Sequence, residues 1–164
     1  MGAACDHDHV HGGLHGGALE RALGASERRI ADAGERMTAP RRRVLTLLLE
    51  AGEPVKAYDL IARFGGAEGQ AAKPPTVYRA LDFLERLGLA HRIASISAYV
   101  ACSSDEGDAI HAAAFLICDC CGATREVAIG EDDRLHQAAH EAGYAVQRTT
   151  IEAHGRCAAC REAA

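Results

Sequence analysis

The sequence predicts an α+β chain: an N-terminal winged helix-turn-helix domain followed by a small C-terminal α/β dimerisation domain. Three observations predict it. Before residue 90, apolar residues recur at helical spacing in consecutive segments, and a short hairpin pattern follows them. After residue 112 the pattern changes to short apolar or alternating runs around one helix. Two C-x-x-C pairs bracket that second region, Cys118 with Cys121 and Cys157 with Cys160.

At 164 residues the chain makes one domain or two small ones. It has no secretory signal pattern and no apolar run long enough to span a bilayer, so a cytoplasmic protein with reduced thiols is expected. Tryptophan is absent, which argues against a sugar-stacking site or an aromatic cage. The net charge is −5, but it is unevenly spread. Residues 18–92 carry 13 Lys and Arg against 10 Asp and Glu, whereas residues 93–164 carry 5 against 11. The first half can therefore sit on phosphate while the second stays off it.

Residues 1–17 are a Gly/His/Asp tail with too few apolar groups to fold. Within it His7, His9 and His11, with Cys5 and His15, either hold a metal loosely or are plain tail. Residues 18–36 predict a first helix on Leu19, Ala22, Leu23, Ile30 and Ala31, weakened by Gly24. Thr38 is placed to N-cap a second helix, with Pro40 in its first turn and Val44, Leu45, Leu47, Leu48 and Leu49 buried. Arg41, Arg42 and Arg43 crowd the start of that helix, where cations oppose the dipole. They either await an external anion such as DNA phosphate or form a solvated run.

Residues 57–64, including Tyr58, predict a short third helix, and a Gly-rich loop follows over 65–72. Pro74 and Pro75 then open a helix that buries Val77, Leu81, Leu84 and Leu87 and ends at Gly88. Its exposed face carries Thr76, Tyr78 and Arg79 near the N-terminus. An arginine able to pair bidentately with guanine, beside hydroxyls for phosphate, is what a recognition helix needs. Two short strands flank Ala94-Ser95-Ile96-Ser97, and a helix trio with such a hairpin is a winged helix.

The second half predicts strands over Ala112–Cys118, Ala123–Ile129 and Tyr144–Glu152, with a helix from Glu131 to about Ala142 stopped by Gly143. A small sheet has open edges, and pairing two across a twofold axis builds a dimer. A C-x-x-C turn aims two thiolates at one point, and two such turns supply the four sulfurs of a tetrahedral structural zinc site. The 35 residues between Cys121 and Cys157 mean that a folded segment must carry the second turn back. Cys120 is able to replace a neighbour as ligand.

Further soft ligands lie between the halves. His91, Cys102, His111 and Glu126 make up a tetrahedral zinc set in chemistry, although a lone His or Cys is more often surface or core. His136 and His140 stand at i and i+4, the spacing of a zinc protease motif, but Gln137 occupies the place of its essential Glu. A polar outer face or an accessory metal site remains for them. His154 is either a hydrogen-bond donor behind the sulfurs or an inert neighbour.

Three stretches carry a resemblance: Ala72-Lys73-Pro74-Pro75-Thr76-Val77-Tyr78-Arg79-Ala80-Leu81, Phe115-Leu116-Ile117-Cys118-Asp119-Cys120-Cys121-Gly122, and Ile151 to Cys160. With them the chain resembles the ferric uptake regulator superfamily, and within it the zinc uptake regulator branch, over roughly residues 20–162. The resemblance implies a zinc-responsive repressor, a homodimer on palindromic operator DNA of zinc-uptake genes, with about two Zn2+ per chain. It implies a structural zinc on Cys118, Cys121, Cys157 and Cys160, and a regulatory zinc on His91, Cys102, His111 and Glu126. It matches Tyr58 and Arg79 to residues that touch DNA. It divides the chain into a tail at 1–17, a winged-helix DNA-binding domain at 18–101, a hinge at 102–111 and a dimerisation and metal-binding domain at 112–164. His111-Ala112-Ala113-Ala114 keeps one histidine where iron and peroxide sensors of the superfamily have several. The N-terminal His tail is not a family feature. Rival readings are a sister regulator sensing iron, manganese or peroxide, a zinc buffer that binds no DNA, and a zinc enzyme. The last would need an open coordination position.

Overall fold

A computed structural model of the chain describes residues 12–65, 73–102, 113–128, 133–146 and 149–162. The tail ligands Cys5, His7, His9 and His11, the Gly-rich loop and His111 lie outside the described residues. The chain folds as two compact units, one taking the described residues up to 102 and the other those from 113 onward.

The first unit holds α1 (Gly16–Asp32), α2 (Ala39–Ala51), β1 (Val55–Lys56), α3 (Ala57–Phe64), α4 (Pro74–Arg86), β2 (Ala90–Ile93) and β3 (Ala98–Ala101). Its core is aliphatic: Leu23 and Ile30 of α1, Val44 and Leu48 of α2, Leu60 of α3, and Leu81 and Leu84 of α4 are all buried. The apolar stripes that predict these helices are the faces that meet. Pro stands in the first turn of both α2 and α4, where no helical N–H is needed. Thr38 occupies the N-cap position of α2, but its side chain makes no capping bond. At the end of α4, Gly88 takes φ +64°, and Leu89 and Gly88 donate to the Leu84 and Glu85 carbonyls at 2.8 and 3.0 Å. This paired closure is what a C′ glycine permits.

The wing is an antiparallel sheet in the order β1-β3-β2. β1 has no sequence signature, since two residues show no period. It exists because Val55 and Lys56 pair with Tyr99 and Ala98. The chain just before α1 is also docked. Leu14 donates to the Leu49 carbonyl at 2.8 Å. Gly52 ends α2 in the left-handed region, and a Cβ there would stand 2.5 Å from the Gly13 nitrogen. Two glycines thus allow two backbones to touch.

The second unit holds β4 (Ala113–Cys118), β5 (Thr124–Ala128), α5 (Asp133–Glu141), β6 (Thr150–Gly155) and α6 (Ala158–Glu162). Its sheet runs β5-β4-β6, with β4 antiparallel to β5 and parallel to β6. Ala114, Phe115, Ile117 and Cys118 of the central strand are buried, while Leu116 is 48% exposed. Gly143 takes φ +80° and closes α5 as predicted. The third strand differs from expectation. It begins at Thr150, not Tyr144, and residues 144–146 are exposed coil. Pairing decides this: β6 extends over Thr150–Gly155 because those residues lie against Ala113–Cys118. Alternation in the preceding stretch finds no partner strand among the described residues.

Candidate metal centre and nucleic-acid interface

Strand β4 ends at Cys118, where the first C-x-x-C turn begins. Gly122, at φ +77°, reverses the chain, and its N–H donates to the Cys118 carbonyl at 2.9 Å. The parallel partner β6 brings the second turn alongside, with the Asp119 N–H donating to the Gly155 carbonyl at 2.8 Å. The Cys157 N–H then donates to Cys118 Sγ at 3.3 Å. α6 presents Cys160, which is 2% exposed.

The sulfurs of Cys118, Cys121, Cys157 and Cys160 lie within 4.8 Å of one another, and Cys121 Sγ is 3.8 Å from Cys157 Sγ. A tetrahedron with zinc–sulfur bonds of about 2.3 Å has edges of about 3.8 Å. Donor type, donor number and spacing all fit a four-coordinate zinc ion. Backbone N–H groups of Cys121, then Cys157, lower the Cys118 thiol to about 6, so it is a thiolate at neutral pH. Burial, then the neighbouring Cys157 and Cys121 thiols, push Cys160 upward. His154 Nδ1 lies 2.9 Å from Asp119 Oδ1, which ties β6 to the first turn behind the sulfurs. Of the two readings of His154, the hydrogen-bonding one describes this contact.

In the first unit, His91 on β2 is buried and Cys102 follows β3. The Cys102 N–H donates to the Leu89 carbonyl at 3.1 Å, and one ligand atom of each side chain lies within 4.8 Å of the other. Two of the four predicted ligands of the second set are therefore together at the base of the wing. Glu126 is half-buried on β5 of the other unit, opposite Phe115. His136 and His140 are exposed on α5, where Gln137 donates to Glu141 at 3.0 Å.

On the predicted recognition helix α4, Tyr78 is 46% exposed, Arg79 is exposed and Thr76 is half-buried. Tyr58, near the start of α3, is 79% exposed. A phenol with so little packing is spare for the fold, which directs attention to a partner. The arginine triplet is engaged within the unit. Arg41 lies over the Phe83 ring, 3.3 Å from its centroid, and donates to the Arg36 carbonyl at 2.6 Å. Arg42 pairs with Glu27 and with Glu20. Arg43 donates to the Arg63 and Phe64 carbonyls at 3.0 and 3.2 Å, capping the end of α3. All three arginines thus have partners within the unit. Sequence reasoning missed them because, apart from Arg36, the partners come from other elements: the Arg42 and Arg43 partners lie 15 to 22 residues away, and Phe83 is farther still.

A winged-helix unit and a separate unit with four converging thiolates define a metal-binding protein of the winged-helix class. The profile of the ferric uptake regulator family matches residues 32–154, and the chain belongs to that family. It is 43% identical over 141 residues to the zinc uptake regulation protein of Escherichia coli (strain K12), covering 85% of this chain and 81% of that one. The corresponding protein of Shigella flexneri gives the same figures. Among solved structures, a zinc uptake regulator complexed with zinc and DNA superposes with a TM-score of 0.79 at 41% identity, covering 90% of this chain and 98% of the other. Holo XcZur superposes with a TM-score of 0.76 at 40% identity, over 88% and 99%.

Proposed function

We propose that this protein is a zinc-responsive transcriptional repressor: a homodimer that binds palindromic operator DNA of zinc-uptake genes when a regulatory zinc site is filled. The observation that carries the reading is the pairing of His91 and Cys102 at the base of a wing, in a unit that turns Tyr58, Tyr78 and Arg79 outward. The relatives support metal and DNA alike, since one is named for zinc uptake regulation and another was solved with zinc and DNA. Exposed Leu116, Leu135, Tyr144 and Val146 in the second unit support a second copy as partner.

In this reading Cys118, Cys121, Cys157 and Cys160 hold a structural zinc, which adds directly to folding free energy. His91, Cys102, His111 and Glu126 hold the regulatory zinc, which supplies a cross-link between segments distant in sequence. Residues 18–101 bind DNA, 102–111 are the hinge, and 112–164 dimerise. Thr76, Tyr78, Arg79 and Tyr58 face the operator, and Arg41, Arg42 and Arg43 at the start of α2 lie on its phosphates. Fixing the separation of the dimer's two recognition helices matches them to two half-sites. A coupling of roughly 1–3 kcal/mol is the usual size of such a link, and by reciprocity operator DNA tightens zinc by the same factor. The protein regulates rather than catalyses: four thiolates fill a tetrahedral site and leave no position for a metal-bound water. Its workplace is the cytoplasm, with the DNA.

The experiment is capture of genomic fragments by purified protein at controlled free zinc, against iron(II), manganese(II) and a chelator that spares the thiolate site. Enrichment of a palindrome with zinc alone is expected. Equal enrichment with iron or manganese would move the protein to a sister branch, and no enrichment under any metal would end the DNA reading.

A further inference from the structure

Helix α5 carries two imidazoles that neither the four-thiolate cluster nor the wing uses. His136 and His140 stand four positions apart, the second in the last turn. Residues at that spacing are neighbours on a helix surface, with Cβ atoms roughly 6 Å apart. Both are exposed, and among the described residues neither ring makes a hydrogen bond or an ion pair. The adjacent Glu141 is occupied, accepting from Gln137 at 3.0 Å. At about 100° per residue the pair lies roughly 100–140° round the helix from Leu135. It is therefore off the apolar stripe of Leu135, Ala138 and Ala139, and covering that stripe does not consume it. The helix has nine residues, and from 134 to 141 all but Ala139 are exposed. So short a helix is marginal in water unless something constrains it.

We propose that His136 and His140 form an accessory chelating site for a first-row divalent cation, and that the cation clips the end of α5. Neutral imidazole nitrogens bind zinc at about 2.0–2.1 Å and suit nickel and copper as well. Two rings four residues apart reach one ion from one helix face, the arrangement by which helical His pairs hold zinc elsewhere. Here Gln137 stands where a carboxylate would activate a metal-bound water, so the pair holds an ion without hydrolytic chemistry. Water completes the coordination shell, and with no thiolate in the set the ion exchanges more readily than one held by four sulfurs. An ion that binds the folded helix and not the unfolded one stabilises α5 by mass action. The helix thus firms as free metal rises, independently of whether the wing responds to zinc.

The test uses full-length, zinc-loaded protein in which His7, His9 and His11 are replaced by alanine, so that the tail does not compete. Nickel(II) is the probe, titrated by calorimetry and followed by far-UV circular dichroism, with zinc release read by a chromophoric indicator. One nickel bound per chain is expected, with a gain in helical signal and no zinc released. His136→Ala and His140→Ala each remove one arm of the chelate and should weaken nickel binding by roughly a hundredfold. Alanine favours the helix, so binding lost in these variants does not reflect a lost helix. Absence of nickel binding, unchanged affinity in both variants, binding without a gain in helix, or zinc released in step with nickel would each overturn the assignment.

Discussion

Cys118 and Cys160 show how one cluster sets its thiols to opposite purposes. Backbone N–H groups hold Cys118 as a thiolate, while burial and crowding keep the proton on Cys160. In the metal-free protein, the lowered value of Cys118 favours the folded unit above the ordinary thiol range, and that contribution declines as the pH falls toward about 6. A metal must displace the remaining protons, so zinc affinity should rise with pH between about 6 and 8. Competition against a chromophoric chelator at several pH values checks this; a flat profile would contradict it. Cys157→Ser removes one sulfur from an otherwise closed site. Loss of about one zinc per chain and melting of the second unit are expected, with the helical first unit retained, as read by elemental analysis and far-UV circular dichroism.

At the scale of elements, α4 has one buried face and one that turns Tyr78 and Arg79 outward. Leu81 and Leu84 are fully buried, and Leu81→Ala should destabilise the first unit by about 2–5 kcal/mol in denaturant unfolding. On the proposed reading, Arg79→Gln on the opposite face should leave that stability unchanged but weaken operator binding by about 1–3 kcal/mol, most where a guanine faces it. Fluorescence anisotropy on matched and mismatched operators separates the two effects. The helices were legible because period and punctuation agree: proline at the start of α2 and α4, glycine after α4 and α5. β1 was not, because its two residues are a strand only by virtue of β3. The start of β6 was missed for the same reason, since strand ends are set by partners and not by local alternation. Spacing pointed to the four cysteines whose sulfurs the structure gathers, whereas α6, the five-residue helix that presents Cys160, has no signature of its own.

Across the whole molecule, the halves differ in how they use the chain. The first unit is built from neighbouring helices. The second closes its sheet by laying β6 parallel to β4, a pairing that joins Cys118 to Gly155 across 36 intervening residues. Holding such a loop shut costs entropy that grows with the logarithm of its length, and no contact is gained until it closes. Recovery from denaturant should therefore run in two tempos. Helical signal of the first unit returns early, and the thiolate-to-metal absorption of a cobalt-substituted sample returns later. The metal is then less a passenger on a finished fold than the clasp that catches a slow strand as it arrives.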